Sequence, residues 1–143
     1  MSPFAIALRE FRGVRQLRQS DAAELLECEQ TYVSALELGV KGPPPVEFVD
    51  RVVHAFDLDE ASEKLLRDEH LASQRRMVIP ADAPESVYRF FNELRQQIDR
   101  LHPAQIELML IALRFPRDIA VAPVQVKRLR RRVLEKVVAY EKG

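Results

Sequence analysis

Few residues of this chain have the types and spacing that acid–base or nucleophilic chemistry needs. Asp68, Glu69 and His70 follow one another directly, and carboxyl and imidazole groups are common general acids and bases. Catalysis would also require a nucleophile, an oxyanion site or a phosphate-binding loop beside them, and the neighbouring sequence supplies none of these. We therefore predict that the protein is not an enzyme.

The sequence also lacks a pattern typical of a metal site or of a reactive thiol. His54, His70 and His102 are far apart and lack the short spacings typical of zinc ligands. Cys28 is the single cysteine, so it cannot form an internal disulfide and is expected to be packed rather than reactive. The sequence thus predicts neither a metal site nor a cofactor.

The charges are distributed unequally along the chain. Residues 1–73 contain eight Lys/Arg and fourteen Asp/Glu, a net charge of minus six, whereas residues 74–143 contain fourteen and eight, a net charge of plus six. The sequence contains no apolar run long enough to cross a membrane and no recognisable signal peptide. These features, with the single cysteine, predict a cytoplasmic protein.

The elements that position the polar residues are predicted to be helices throughout. Phe4, Leu8 and Phe11 recur at helical spacing, and similar apolar spacing marks four further helices before residue 74. Gly13 is expected to end the first of these helices. Gly39 is expected to terminate the third, because glycine readily adopts the left-handed conformation that follows many helices.

A proline-containing segment divides the helical pattern into two domains. We predict an N-terminal domain over residues 1–74, a linker over 75–84 and a helical C-terminal domain over 85–143. Apolar stripes in the predicted helices 85–101 and 124–141 favour a dimerisation role for the second domain. The predicted fold class is therefore all-α with two domains.

Several residues of the first domain occur in a fixed order and spacing. An arginine lies near the end of helix one, a glutamine opens helix two, a small alanine lies within it, and an apolar–Glu–x–Gly sequence closes helix three. These residues are Arg12, Gln19, Ala23, Leu36, Glu37 and Gly39. Over about residues 4–72 the chain resembles the phage repressor/Cro-type, or xenobiotic-response-element-type, helix-turn-helix family.

The resemblance implies a five-helix domain that inserts its third helix into the DNA major groove. Gln30 would form hydrogen bonds to the edge of an adenine, and Ser34 could form them to several different bases. The Thr31 methyl group would contact thymine. The full set of expected DNA-binding residues is Arg18, Gln19, Glu29, Gln30, Thr31, Tyr32, Ser34, Ala35 and Lys41. Arg12 and Glu37 would form a structural pair.

By the same resemblance, the protein would be a sequence-specific transcriptional regulator, and a repressor in particular. It would bind a palindromic site in double-stranded DNA as a homodimer. Phosphate contacts would come from Arg15, Arg18 and Lys41, and from the amide of Gln19 together with the N-terminus of helix two.

Three positions depart from the family pattern. Glu27 stands near the turn that usually holds glycine, Glu29 replaces a small residue that caps helix three, and Ala22 replaces a leucine. Two carboxylates beside a phosphate-binding surface are unfavourable. Because phosphate neutralisation supplies most nonspecific affinity, this acidic domain is expected to bind nonspecific DNA weakly.

The sequence is also compatible with two alternative functions. The helix-turn-helix could serve protein contacts, as in an antitoxin, adaptor or anti-repressor, and the acidic surface favours that hypothesis. A C-terminal domain that binds an unknown effector would instead make a ligand-responsive regulator. The basic run within residues 127–132 is interpreted as a solvated face or a partner for the acidic half, with nucleic-acid binding as the less favoured role.

Overall fold

A computed structural model describes residues 1–116 of the chain. Within that range the secondary structure is entirely helical, which confirms the predicted all-helical class. The helices are α1 (Pro3–Val14), α2 (Gln19–Leu25), α3 (Gln30–Glu37), α4 (Val46–Ala55), α5 (Glu60–Ala72), α6 (Glu85–Gln97) and α7 (Pro103–Arg114). None of these helices is long and apolar enough to cross a membrane.

The chain divides into two compact units, with the boundary after Pro80. The first unit contains α1 to α5. The second begins at Ala81, and its described part, residues 81–116, contains α6 and α7. The predicted helix 124–141 and the basic run within residues 127–132 lie outside the described residues.

The first unit is built around one apolar core. Helix α1 packs against α3 and α5, α2 packs against α3, and α4 packs against α5. Burial of these apolar side chains stabilises the arrangement. The large side chains of the core include Phe4, Leu8, Leu26, Leu36, Phe48, Val49, Val52, Phe56, Leu58 and Leu66.

A buried serine ties the last helix of this unit to the first. Ser73 caps the C-terminus of α5 and is 6% exposed. Its Oγ accepts a hydrogen bond from the backbone N–H of Phe4 at 2.8 Å and donates to the carbonyl of Glu69 at 2.7 Å. A buried polar group without a hydrogen bond lowers the stability of the fold. Both bonds are therefore needed, and they fix the end of α5 beside the start of α1.

Four helices of the first unit are followed by a residue with a left-handed backbone conformation. Gln16, Glu27, Gly39 and Asp57 have φ values of 55°, 53°, 72° and 46°, and each follows the C-cap residue of its helix. Such a residue lets the chain turn while satisfying the last helical carbonyls. Only at Gly39 is the left-handed residue a glycine, which adopts this conformation without steric cost.

The expectation that Gly13 ends the first helix is wrong. Gly13 lies within α1, which continues to Val14, and the turn occurs at Gln16. Glycine in a helix lowers stability but does not stop the helix when its neighbours are packed. Here the buried residues Phe4 and Leu8 hold the helix from its other end.

The first helix of the second unit is shorter than the predicted span 85–101, because α6 ends at Gln97. Pro103 is the first residue of α7, a position that suits proline because an N–H there would have no partner within the helix. His102 caps that helix: its Nδ1 accepts from the N–H of Ala104 at 3.1 Å, while the Gln105 side chain accepts from the N–H of His102 at 2.8 Å. These two bonds fix the start of α7 at His102.

The strained conformation of Glu27 leads to a prediction about stability. Replacement of Glu27 by Gly should raise the free energy of unfolding by about 0.5–1 kcal/mol, because relief of left-handed strain outweighs the added flexibility of the unfolded chain. Urea unfolding measures this change. The matched control is Glu24→Gly, which places the same substitution inside α2 and should cost about 1 kcal/mol. Equal destabilisation by both variants would contradict the assignment of strain to Glu27.

Candidate nucleic-acid interface

Helix α3 presents one polar face outward. Gln30 and Thr31 are exposed and Ser34 is half-buried, whereas Val33 and Leu36 lie in the interior. The alternation follows the helical repeat, in which residues three and four apart share a face. The outward face therefore carries hydrogen-bonding side chains of the size and chemistry that can reach base edges.

A buried carboxylate fixes the orientation of this helix. Glu37, at the end of α3, is 3% exposed. Its Oε1 accepts from Arg12 Nε at 2.6 Å, and its Oε2 accepts from Arg12 Nη2 at 3.0 Å. Arg12 Nη1 also donates to the carbonyl of Leu17 at 2.7 Å. The two-pronged pair joins α1 to the end of α3, and the third bond holds the segment that leads into α2.

Gln19 completes this buried network. Its Nε2 donates to Glu37 Oε2 at 2.9 Å, so one amide N–H of Gln19 is directed toward the protein. From the sequence, the Gln19 amide was expected to contact a phosphate. In the structure, the bond from this amide to Glu37 links the first residue of α2 to the last residue of α3.

The network places Gln19 beside the outward face of α3. A shallow hollow lies between them, lined by Gln19, Gln30, Thr31, Ser34, Ala35, Leu38 and Val40. Leu38 and Val40 are 64% and 73% exposed. The hollow therefore combines polar groups from two helices with two apolar side chains from the end of α3 and the loop after it.

Tyr32 and Lys41 lie on the opposite flank of α3. The Tyr32 ring packs edge-on against Phe48, with ring centroids 5.3 Å apart. Lys41 Nζ lies 5.0 Å from the centroid of the Tyr32 ring, a cation–π arrangement. Burial raises the pKa of the Tyr32 phenol, which remains a neutral hydroxyl near pH 7.

The carboxylates that depart from the family pattern lie near this surface. Glu29 is the N-cap of α3, but its side chain accepts no capping hydrogen bond from the backbone N–H groups of the first turn. Instead its Oε2 accepts from the Thr31 hydroxyl at 3.3 Å. Glu29 and Thr31, with Cys28, Tyr32, Ala35 and Lys41, line a second hollow. Negative charge is thus present on the edge of α3 that Lys41 flanks.

The expected phosphate-binding cations differ in their surroundings. Arg18 is the exposed N-cap residue of α2, and its backbone N–H donates to Asp21 Oδ2 at 2.8 Å. Arg15 is engaged within the fold, because its Nε donates to the carbonyl of Phe56 at 2.6 Å and its Nη1 to that of Phe11 at 3.0 Å. Arg15 therefore anchors the end of α4 to α1.

Two arginines that contact the helix-turn-helix were not predicted from the sequence. Arg51 Nη1 donates to the carbonyl of Leu26, the C-cap of α2, at 2.9 Å and lies over the Phe48 ring. Arg75 Nη2 donates to the carbonyl of Gly39 at 2.6 Å. Both bonds join residues at least 25 positions apart, and no local pattern in the sequence signals them.

Cys28 and Glu29 both line the second hollow beside α3. Burial raises the pKa of the Cys28 thiol above its ordinary value, whereas a reactive cysteine needs a lowered pKa. Among residues 1–116, no group of three or more His, Cys, Asp or Glu side chains is arranged to hold a metal ion. The geometry instead offers hydrogen-bond donors and acceptors on a convex helix.

The second unit contains a separate hollow of about 310 Å³ between α6 and α7. Its lining is mainly apolar and includes the aromatic ring of Phe90. Its size is at the lower end for small-molecule sites. The lining residues are Phe90, Glu93, Leu94, Gln97, Leu101, Gln105, Leu108 and Met109.

Residues 3–66 match the sequence model of a family described as a helix-turn-helix domain. The match covers α1 to α4 and the first half of α5, just under half of the chain. Neither the curated proteins nor the solved structures compared with the chain give a match. The family match supports a helix-turn-helix domain in the segment that contains Glu37 and the exposed face of α3.

The buried pair leads to a prediction about coupling. Glu37→Leu should lower the free energy of unfolding by about 3 kcal/mol, because it leaves the Arg12 guanidinium without its buried counter-charge. Arg12→Met should cost a similar amount. Replacing both residues, as Arg12→Met/Glu37→Leu, should cost clearly less than the two single changes together, since no unpaired charge remains.

Urea unfolding of the four proteins measures this coupling. The control is the exposed pair of Lys64 and Asp68, which are joined at 2.6 Å on α5 with side chains 76% and 57% exposed. Alanine substitutions there should reveal a coupling of about 0.5 kcal/mol or less. A coupling between residues 12 and 37 that is no larger than this would contradict the structural role given to the pair.

Proposed function

We propose that this protein is a sequence-specific, double-stranded-DNA-binding transcriptional regulator, and a repressor of the phage repressor/Cro type. The helix-turn-helix match indicates a DNA-binding regulator. The finer assignment is supported by the order of Arg12, Gln19, Ala23 and Glu37 along the chain. In this proposal, α1 to α5 form a five-helix DNA-binding domain whose third helix enters the major groove.

The observation that carries this proposal is the outward polar face of α3. Gln30 and Thr31 stand exposed in its first turn, and Ser34 follows one turn later. A Gln amide can make two hydrogen bonds to adenine, whereas a hydroxyl can bond several bases. The Glu37 network supports direct readout, because specific contacts require a helix held in a fixed orientation.

Phosphate contacts would position α3 in the groove. Arg18 is exposed at the beginning of α2, and Lys41 lies beside α3 in the loop that follows it. Such contacts fix the register of a protein on the duplex without reading its sequence. Glu29 would either accept from a cytosine amino group or repel a nearby phosphate. The other proposed contact residues are Gln19, Tyr32 and Ala35.

We further propose that the second unit forms a homodimer. In α6 and α7, no described residue is buried. Large apolar side chains are more than 60% exposed at Ile98, Leu108 and Leu113. Exposed apolar surface of this kind marks protein–protein contacts. A two-fold dimer would read two half-sites about one DNA turn apart.

The remaining parts of the proposal concern activity and location. We propose a protein without enzymatic activity or cofactor that works in the cytoplasm. The reasons are the absence of a nucleophile motif beside the acidic and histidine residues and the single cysteine. An effector or a protein partner that controls DNA binding is compatible with this function.

A second candidate function is recognition of another protein by the same surface. The exposed side chains of Leu38 and Val40 favour it, because they add apolar area to the hollow beside α3. The carboxylates of Glu27 and Glu29 favour it as well, since they oppose phosphate binding. An antitoxin, adaptor or anti-repressor would use the helix-turn-helix in this way.

Selection from a library of randomised DNA duplexes tests the proposed function. The wild-type protein should enrich a palindrome with half-sites roughly 10 base pairs apart. Gln30→Ala/Ser34→Ala should weaken binding to that palindrome by roughly 10- to 100-fold, because it removes direct base contacts. Light scattering of the same protein should show a dimer at micromolar concentration.

The matched control makes the same two substitutions in the second unit, as Gln96→Ala/Ser86→Ala. Both residues are exposed on α6, and the control should enrich the wild-type palindrome. Failure of the wild-type protein to enrich any sequence would overturn the DNA-binding proposal and favour the protein-recognition function. A monomer at micromolar concentration would overturn the homodimer.

A further inference from the structure

The first unit extends beyond the end of α5, to Pro80. Ser73 fixes the end of α5 against the start of α1, and residues 74–80 follow without helical structure but remain part of the first unit. Arg75 and Arg76 are exposed in this segment. Their inclusion gives residues 1–80 ten Lys/Arg and fourteen Asp/Glu, a net charge of minus four rather than the minus six of residues 1–73.

Arg75 is held against the loop that follows α3. Its Nη2 donates to the carbonyl of Gly39 at 2.6 Å, and its stem lies over Gly42, where an added Cβ would be 3.8 Å from Arg75 Cδ. Gly39 lies between Leu38 and Val40, which both line the hollow beside Gln30. The guanidinium is therefore adjacent in space to the surface proposed to read DNA.

Among residues 1–116, Arg75 forms no ion pair with a carboxylate. Arg12 and Arg67 bond to carboxylates, whereas Arg75 donates to a neutral carbonyl. A guanidinium has five N–H donors, and the bond to Gly39 uses one of them. Because this bond already restricts the side chain, less conformational entropy remains to be lost when Arg75 binds an anion.

A second cation lies in the same loop. Lys41 lies between Gly39 and Gly42 in the sequence, and its ammonium group is held over the Tyr32 ring. Arg75 and Lys41 therefore bring positive charge, from distant parts of the chain, to the loop after α3. This arrangement partly offsets the carboxylates of Glu27 and Glu29, which make the reading surface unfavourable for a polyanion.

We propose that the segment after α5 is a second DNA-contacting element, in which Arg75 binds a backbone phosphate beside the half-site that α3 reads. This inference rests on the proposed DNA-binding function and adds a contact from outside the five helices. Arg75 would contribute affinity but no sequence preference, because phosphates are the same in every duplex. Its bond to Gly39 couples this contact to the position of the end of α3.

Salt dependence of DNA binding by the full-length chain separates this role from a structural one. Each neutralised phosphate contributes about 0.9 to the slope of log affinity against log salt concentration. Arg75→Ala should therefore make the slope shallower by about 0.9 and weaken binding at low salt by roughly five- to tenfold. The selected DNA sequence should remain unchanged. Arg75→Lys, which retains the charge, should keep the wild-type slope.

The matched control is Lys64→Ala, which also removes one exposed positive charge from the first unit; Lys64 is paired with Asp68 on α5. It should leave the slope unchanged. An Arg75→Ala variant that binds more weakly with the wild-type slope would show that Arg75 only supports the loop, and so would overturn the phosphate contact while the proposed function stands. A wild-type protein that binds no duplex at any salt concentration would overturn both.

Discussion

Glu37 places a carboxylate in the interior of the first unit, and a buried charge is tolerated only when it is paired and hydrogen-bonded. Arg12 supplies the counter-charge through two nitrogens, and Gln19 donates a third hydrogen bond. These three residues come from α3, α1 and the first turn of α2. The requirement to satisfy one carboxylate therefore determines how the two helices of the helix-turn-helix cross, and that crossing determines which residues of α3 face outward.

The periodicity of apolar residues was sufficient to predict the helical class and the core face of α1, including Phe4 and Leu8, because local spacing reflects burial directly. The Arg12–Glu37 geometry matches what the family resemblance implied. The bond from Gln19 to Glu37 was not predicted, since it depends on how α2 meets α3. The bond from Arg75 to Gly39 joins residues 36 positions apart, and the left-handed turn at Gln16 arises without a glycine.

If an acidic domain with few cations binds DNA, its affinity depends more on where each cation lies than on how many cations there are. In the first unit, several arginines serve the fold: Arg15 binds the carbonyl at the end of α4, and Arg51 binds the carbonyl at the end of α2. Such cations also stabilise the negative ends of helices. Lys41 and Arg75 are held by an aromatic ring and a carbonyl, so under the proposed function their charges would be available to a phosphate. This distribution of charge favours a regulator with modest nonspecific affinity, whose binding depends on direct base contacts.

The most direct test of α3 as the DNA-binding helix is an NMR titration of the isotopically labelled protein with a DNA duplex at low salt. Backbone amide shifts identify the surface that contacts DNA even when the preferred sequence has not been determined. We expect the largest changes in residues 29–35, at Lys41 and at Arg75, while Lys64 and Asp68 on the exposed side of α5 remain unchanged. Changes confined to residues after 80, or no change at saturating DNA, would contradict the assignment of α3 as the DNA-binding helix.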